Sequence, residues 1–358
     1  MVTLAMWPEI AAPLGVSPQL NRTPALTVIE VVWRSMSSRH LVDPDLIGLL
    51  EIWPETEFTL QTLALIRSSS LPIPIDPTAQ ALVAMETRSV PGPADSPAVE
   101  VVIYTPRKRS SGLSPCIFHM HGGGYVVGSA ATSDATLRPK SAALDCVIVS
   151  VEYRLAPETP FPGAIEDCYA ALSWLFANAS ALGVDARRIG VMGESAGGGL
   201  AASLALLARD RGEWRLAFQH LVYPMLDDRT CTRPQPHLYT GEFLWTAEKN
   251  AFGWSCLLGT DPGGDGVSPY AAAARATDLS GLPPTFICTG ALDLFLEEDL
   301  EYARRLTHVG VPVELHVYPG AYHAFDIDPN AEVAINARRD RISALKRALY
   351  PKPPQRNA

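Results

Sequence analysis

The chain has 358 residues, a formal net charge of -9, 47% hydrophobic residues and 19% charged residues, enough apolar sequence for one large domain with an insertion or for two domains. The acidic balance argues against nucleic acid or an anionic membrane surface as the main partner and suits a neutral small molecule better. No window approaches the roughly 18 uninterrupted apolar residues of a membrane span, and residues 1–10 lack a basic region followed by an apolar one, which predicts a soluble, unexported protein without stable membrane insertion.

In chain order, residues 26–37, 44–50 and 54–67 read as helices broken by prolines, with Trp33, Trp53 and Phe58 on apolar faces. They suit a lid or an extension of the core. Residues 68–76 read as a linker, with prolines at 72, 74 and 77 in or beside it. From Val99 the pattern becomes α/β. Strands are predicted over 99–105, 116–120, 147–151, 188–192, 217–222, 285–289 and 313–317, and helices over 163–181, 198–207, 297–308 and 331–348. Such alternation implies a mostly parallel central sheet covered by helices on both faces. The roughly 60 residues between Tyr223 and Thr285 carry Trp245, Phe252 and Trp254 and are too long for a plain connection, so a second cap segment is expected there. The predicted organisation is 1–75 as N-terminal cap helices and linker, 76–225 with 283–358 as the catalytic domain, and 226–282 as a cap insertion. Only the tail 351–358 reads as disordered. The six cysteines, Cys116, Cys146, Cys168, Cys231, Cys256 and Cys288, are scattered with no CxxC spacing, which predicts reduced thiols and a cytoplasmic location.

The chemistry centres on Gly193-Glu194-Ser195-Ala196-Gly197, which joins an apolar strand to a helix rich in glycine and alanine. Small residues two positions either side of a serine let the backbone bend sharply and lift the hydroxyl clear of the sheet. The helix that follows favours developing negative charge at its N-terminus. His121-Gly122-Gly123-Gly124 follows the strand ending at Met120. Three consecutive glycines there leave backbone N–H groups unshielded for an oxyanion, and the Ala196 N–H, next after the serine, completes the hole.

Metal binding by His119 and His121, two residues apart, is a weaker reading because no third ligand stands nearby at suitable spacing. His121 is better placed to hold the loop through its ring, and His119 to be a satisfied core residue. Of the late histidines, His308 falls inside a helix and His316 in mid-strand, whereas His323 lies in a loop just past a strand's C-terminal end, where open α/β sheets place functional groups. His323 is the candidate base. Asp293, three residues after the glycine that ends the previous strand, is the candidate acid that orients it. Glu297 and Glu298 compete for that role but suit the first turn of the next helix.

These motifs, together with Tyr153-Arg154-Leu155-Ala156-Pro157-Glu158, Phe161-Pro162 and Tyr322-His323, resemble the hormone-sensitive-lipase-like esterases, bacterial family IV of the α/β-hydrolase fold. The match runs in family order over about 200 residues. The resemblance implies an α/β-hydrolase fold with a helical cap, Ser195 as nucleophile, Asp293 as acid, His323 as base, and N–H donors from Gly123, Gly124 and Ala196. It also implies short to medium acyl chains. Two departures stand out: Glu194 occupies a position where the family more often has Asp or Thr, and Leu294 follows Asp293 where many members have Pro. Arg154 and Glu158 read as structural.

The expected protein is a carboxylic ester hydrolase that needs no metal or cofactor and acts on a small ester through an acyl-enzyme. An amidase or lactonase would share the machinery. A non-catalytic small-molecule-binding member of the fold would most simply have lost a triad residue, and here all three are present. A homodimer is compatible with the sequence.

Overall fold

The central sheet has eight strands in the order β1-β2-β4-β3-β5-β6-β7-β8. The computed structural model describes residues 37–69 and 76–351. The helix expected over 26–37 with its Trp33, most of the 68–76 linker and most of the 351–358 tail lie outside the described residues. The strands are β1 (Val83–Val90), β2 (Val99–Pro106), β3 (Ser114–Met120), β4 (Val147–Glu152), β5 (Val184–Glu194), β6 (Gln219–Val222), β7 (Thr285–Gly290) and β8 (Val313–Tyr318). β2 pairs antiparallel with both β1 and β4, and every other neighbouring pair is parallel.

Every residue of β3, β6 and β7 is buried, as continuous apolar runs become when helices cover both faces. β1 lies at the sheet edge and exposes most of its length, so its sequence carries no apolar alternation. That is why the α/β pattern is legible only from Val99, although β1 pairs with β2 in full register from Val83 opposite Pro106 to Val90 opposite Val99.

The helices are α1 (Ile47–Ile52), α2 (Leu63–Ser68), α3 (Pro77–Leu82), α4 (Asp134–Leu144), α5 (Gly163–Asn178), α6 (Ala196–Arg211), α7 (Ala247–Leu258), α8 (Leu296–His308) and α9 (Glu332–Leu349). The helix expected over 54–67 shrinks to α2. Before it, the Thr62 hydroxyl donates to Glu57 O at 2.6 Å and accepts from Thr59 N at 3.0 Å, local bonds that compete with helix formation. The helix expected from 44 begins instead as a 3-10 turn over Pro44–Leu46 and becomes α1. Helix α4 has no clear sequence signal, because Pro139 lies inside it and its buried positions include Asp134 and Arg138. Those two side chains satisfy each other through two hydrogen bonds of 2.8 Å.

Helix α6 is buried from Ala196 through Ala208, packing on β3, β5 and β6 and against α5. Its small residues permit that close approach. The segment between β6 and β7 carries α7 and is pinned at its base by Arg275, which donates to both Asp228 carboxylate oxygens at 2.7 and 2.8 Å. Among the described residues no helix is long and apolar enough to cross a membrane.

Packing under the sheet leaves no slack at Gly190 in β5, where an added Cβ would stand 2.4 Å from two ring carbons of Phe218. Gly190→Ala is expected to lower the unfolding free energy by about 1–3 kcal/mol, read as a lower denaturant midpoint at unchanged slope. Combining it with Phe218→Leu should restore part of the loss; no change in the single variant would contradict the tight packing.

Candidate active site

Ser195 sits between the last residue of β5 and the first of α6 with φ 56° and ψ -122°, in a region that a residue with a side chain avoids. Three backbone hydrogen bonds hold it there. Its N–H donates to Val222 O at 2.9 Å, and its carbonyl accepts from Gly199 N and Met225 N, each at 3.0 Å. The glycines two positions either side are sterically required. A Cβ on Gly193 would lie 2.1 Å from Gly197 O, and one on Gly197 would lie 2.2 Å from Met120 O.

Asp293 and His323 reach the same point because the turns after β7 and β8 are pressed together. Leu292 N donates to Ala321 O at 2.9 Å and Ala291 N to Tyr318 O at 2.8 Å, and a Cβ on Gly290 would strike Ala321 O at 2.2 Å. His323 Nδ1 lies 2.8 Å from Asp293 Oδ2, and His323 Nε2 lies 2.9 Å from Ser195 Oγ. A carboxylate only accepts, so Nδ1 carries the hydrogen and Nε2 presents its lone pair to the serine hydroxyl. Asp293 is fully buried and its other oxygen accepts from Phe295 N at 3.0 Å. With Leu294 in place of proline, that bond and the one from Leu296 N to Asp293 O, at 3.2 Å, shape the turn.

The two rival carboxylates stand elsewhere. Glu297 meets Arg233 at 2.7 Å. Glu298 is buried and accepts from Leu226 N, at 2.6 Å, and from the Thr230 hydroxyl, so it ties α8 to the loop after β6. His308 ends α8 and His316 lies within β8, where it meets Glu314 at 2.9 Å.

The glycine loop lies against the serine. A Cβ on Gly122 would be 3.4 Å from Ser195 Cβ. Gly123 and Gly124 both have positive φ, at 123° and 59°, and among the described residues none accepts a hydrogen bond from the N–H of Gly123, Gly124 or Ala196. His121 Nδ1 donates to Gly122 O at 2.8 Å. Its ring stacks on Tyr153 with centroids 4.2 Å apart, and the Tyr153 hydroxyl donates to His121 O at 2.6 Å. Burial lowers the His121 pKa to about 4, so the ring is neutral at pH 7. His119 does not converge with His121 on a shared point. It bridges Ser150 Oγ and Glu194 Oε2, both at 2.8 Å, which gives the departure at Glu194 a structural role at the elbow. Arg154 forms a two-point pair with Asp167, and Glu158 one with Arg67.

A second polar cluster underlies His323 and is not visible in the sequence. The Tyr223 ring meets the His323 ring edge-on at 4.8 Å, and its hydroxyl donates to Asp326 Oδ1 at 2.7 Å. Arg341 of α9 donates to Asp326 Oδ2 at 2.5 Å. Burial alone would raise the Asp326 carboxyl, but Arg341 and the Tyr223 hydroxyl together hold it below its ordinary value. Glu194 behaves likewise: burial opposes its charge, and His119, Lys140 and Arg341 keep it well below the usual carboxylate range. Only the spacing of Asp326 three residues after His323 hints at this support.

A strained serine at a strand-to-helix turn, with aspartate and histidine delivered by two later strand ends of the same mostly parallel sheet, is the arrangement of an α/β hydrolase. The chain belongs to the α/β-hydrolase fold family, whose sequence profile matches residues 117–327. It is 35% identical to carboxylesterase NlhH of Mycobacterium tuberculosis over 87% of this chain and 98% of that protein. It is 32% identical to an arylesterase of Saccharolobus solfataricus over 86% of this chain and 99% of that one. Among solved structures, a bacterial heroin esterase superposes with a TM-score of 0.79 at 36% identity, covering 87% of this chain and 99% of that chain.

Two outcomes follow from these buried groups. An ordinary histidine titrates near 6.5, so His121, held neutral down to about 4, contributes stability at pH 7 that is lost as pH falls from about 6.5 to about 4, roughly 3 kcal/mol in all. Urea titrations across that range should show a shallower acid loss in His121→Asn than in the wild type; equal slopes would refute the assignment. Arg341→Met, which strands the part-buried Asp326 charge, should cost up to about 3–5 kcal/mol and lower kcat. Adding Asp326→Leu should recover much of that stability, as differential calorimetry would report.

Proposed function

We infer that the protein is a carboxylic ester hydrolase that works through Ser195, His323 and Asp293 and an acyl-enzyme. The observation that carries this reading is the unbroken buried chain from Ser195 Oγ through both His323 nitrogens to Asp293, with contacts of 2.9 and 2.8 Å. His323 Nε2 takes the hydroxyl proton as Ser195 Oγ attacks the ester carbonyl carbon. Charge moves onto the carbonyl oxygen, which faces the unengaged N–H groups of Gly123, Gly124 and Ala196. Each such donor contributes about 3 kcal/mol to the transition state. Asp293 stabilises the imidazolium and holds its orientation. His323 then protonates the leaving alcohol, and water repeats the sequence to release the acid.

The carboxylesterase and arylesterase relatives support the ester as substrate. The aromatic side chains above the site favour a small apolar ester of short to medium acyl chain: Phe58 meets Trp245 edge-on at 5.5 Å and Phe252 at 6.4 Å. The six unpaired thiols, five of them buried, support a reducing, cytoplasmic setting.

Hydrolysis of p-nitrophenyl esters from acetate to dodecanoate, by the wild type and by folded Ser195→Ala and Asp293→Asn, tests this. Each substitution should lower kcat on the order of 10⁴-fold or more, with the wild type fastest on the shorter chains. Turnover that survives in Ser195→Ala would overturn the assignment.

A further inference from the structure

We propose that Trp245 is the specificity-determining wall on the leaving-alcohol side of the site, admitting esters of flat or unbranched alcohols and excluding those branched at the carbinol carbon. This rests on the ester-hydrolase reading above and deepens it.

The indole lies over two groups with opposite tasks. At one end, a Cβ on Gly124 would stand 2.2 Å from Trp245 Cη2 and 2.8 Å from Cζ2, so the ring covers the loop that faces the carbonyl oxygen. At the other, the Trp245 and His323 ring centroids are 6.1 Å apart, so the same ring flanks the base. In the tetrahedral intermediate the carbon carries the serine oxygen, the oxyanion, the alkoxy oxygen and the acyl chain. The oxyanion points at the glycine loop and the alkoxy oxygen at His323 Nε2, since that nitrogen must protonate it. A wall that spans both groups lies along the edge between those two oxygens. Whatever is bonded to the alkoxy oxygen must pass beside it. The acyl chain, the remaining substituent, is directed away from it.

The wall is also fixed in place. Trp245 Nε1–H donates to Asn250 Oδ1 at 3.2 Å, and Asn250 is fully buried in α7. Phe58 packs edge-on against the indole at 5.5 Å. The preceding residue, Leu244, has φ 56°, and its carbonyl accepts from Lys249 Nζ at 2.8 Å. Trp245 is only 7% exposed, so it has little room to turn aside. A planar group can lie along such a face, while a branched carbon collides with it.

The test compares kcat/KM for ethyl and cyclohexyl acetate, and for ethyl acetate and ethyl butanoate, in the wild type, Trp245→Leu and Trp245→Ala. Ratios within one preparation do not depend on the folded fraction, and Trp245→Leu keeps the position apolar if the alanine variant folds poorly. The cyclohexyl-to-ethyl ratio should rise about tenfold or more in Trp245→Ala and by less in Trp245→Leu, while the butanoate-to-acetate ratio changes by less than about threefold. An unchanged alcohol ratio, or a change confined to the acyl ratio, would overturn the proposal. The outcome is separable from failure of the ester-hydrolase reading. That failure would appear as activity independent of Ser195, whereas a misplaced wall would leave Ser195-dependent turnover with unaltered alcohol selectivity.

Discussion

Ser195 is held at φ 56° and ψ -122°, a conformation that costs a residue with a Cβ on the order of 1–3 kcal/mol, and much of the fold supplies what keeps it there. β5 feeds the bend from below, α6 leaves it at once, and the carbonyl of Val222 and the amides of Gly199 and Met225 close it from three sides. The bend is useful because it aims Oγ away from the sheet while leaving the Ala196 N–H unengaged at the start of a 16-residue helix. Both consequences depend on absent side chains. With Gly197 2.2 Å from Met120 O in Cβ terms, any larger residue would push the elbow off β3, and the glycine loop that continues from β3 would move with it. The elbow and the glycine loop are thus one packed unit.

Residues whose placement follows from local backbone chemistry were the legible ones. Ser195 announces itself through its glycines, and Asp293 and His323 through their places after strand ends. The sheet from β2 onward shows as apolar runs because strands buried on both faces leave that trace. What stayed illegible depends on partners distant in sequence. β1 is a strand because β2 offers it a ladder, and its own exposed side chains say nothing. Asp326 and Arg341 are 15 residues apart and Tyr223 is 103 residues from Asp326, so no spacing rule connects them. Glu194 looked like a departure from a pattern, and its meaning appears only with His119 and Lys140 beside it. Glu298 sits in the first turn of a helix, as its sequence suggests, yet it is buried and spent on the backbone after β6.

The segments outside the sheet do more than cover the site. Arg67 of α2 donates to Val126 O at 2.8 Å and to Ala156 O at 2.9 Å, and it pairs with Glu158. Val126 and Val127 N–H groups in turn both bond to Gly123 O, so α2 is two bonds from the glycine loop. On the opposite side, Asp43 N donates to Gly320 O at 3.0 Å and the Tyr322 hydroxyl to Leu46 O at 2.9 Å, which anchors the loop that carries His323. The segment between β6 and β7 packs on the glycine loop as well: a Cβ on Gly253 of α7 would lie 2.7 Å from Gly124 O.

Charge is arranged on the same plan. Behind the site lie Glu194 and Asp326 with Lys140 and Arg341, two anions and two cations whose charges cancel. Isolated charges at this depth would each cost several kcal/mol, and here the cost is offset by pairing across elements that must stay aligned. Glu194 belongs to the serine elbow, Asp326 to the turn after His323, Lys140 to α4 and Arg341 to α9. Apolar side chains in their place would pack in more than one way, whereas a carboxylate bound at both oxygens tolerates little sliding. The distance between Ser195 Oγ and His323 Nε2 is set by how β5 and the turn after β8 meet. Placing an ion pair on each of those two backbones, within one another's field, resists relative motion of Ser195 and His323 without adding any group beside the serine hydroxyl.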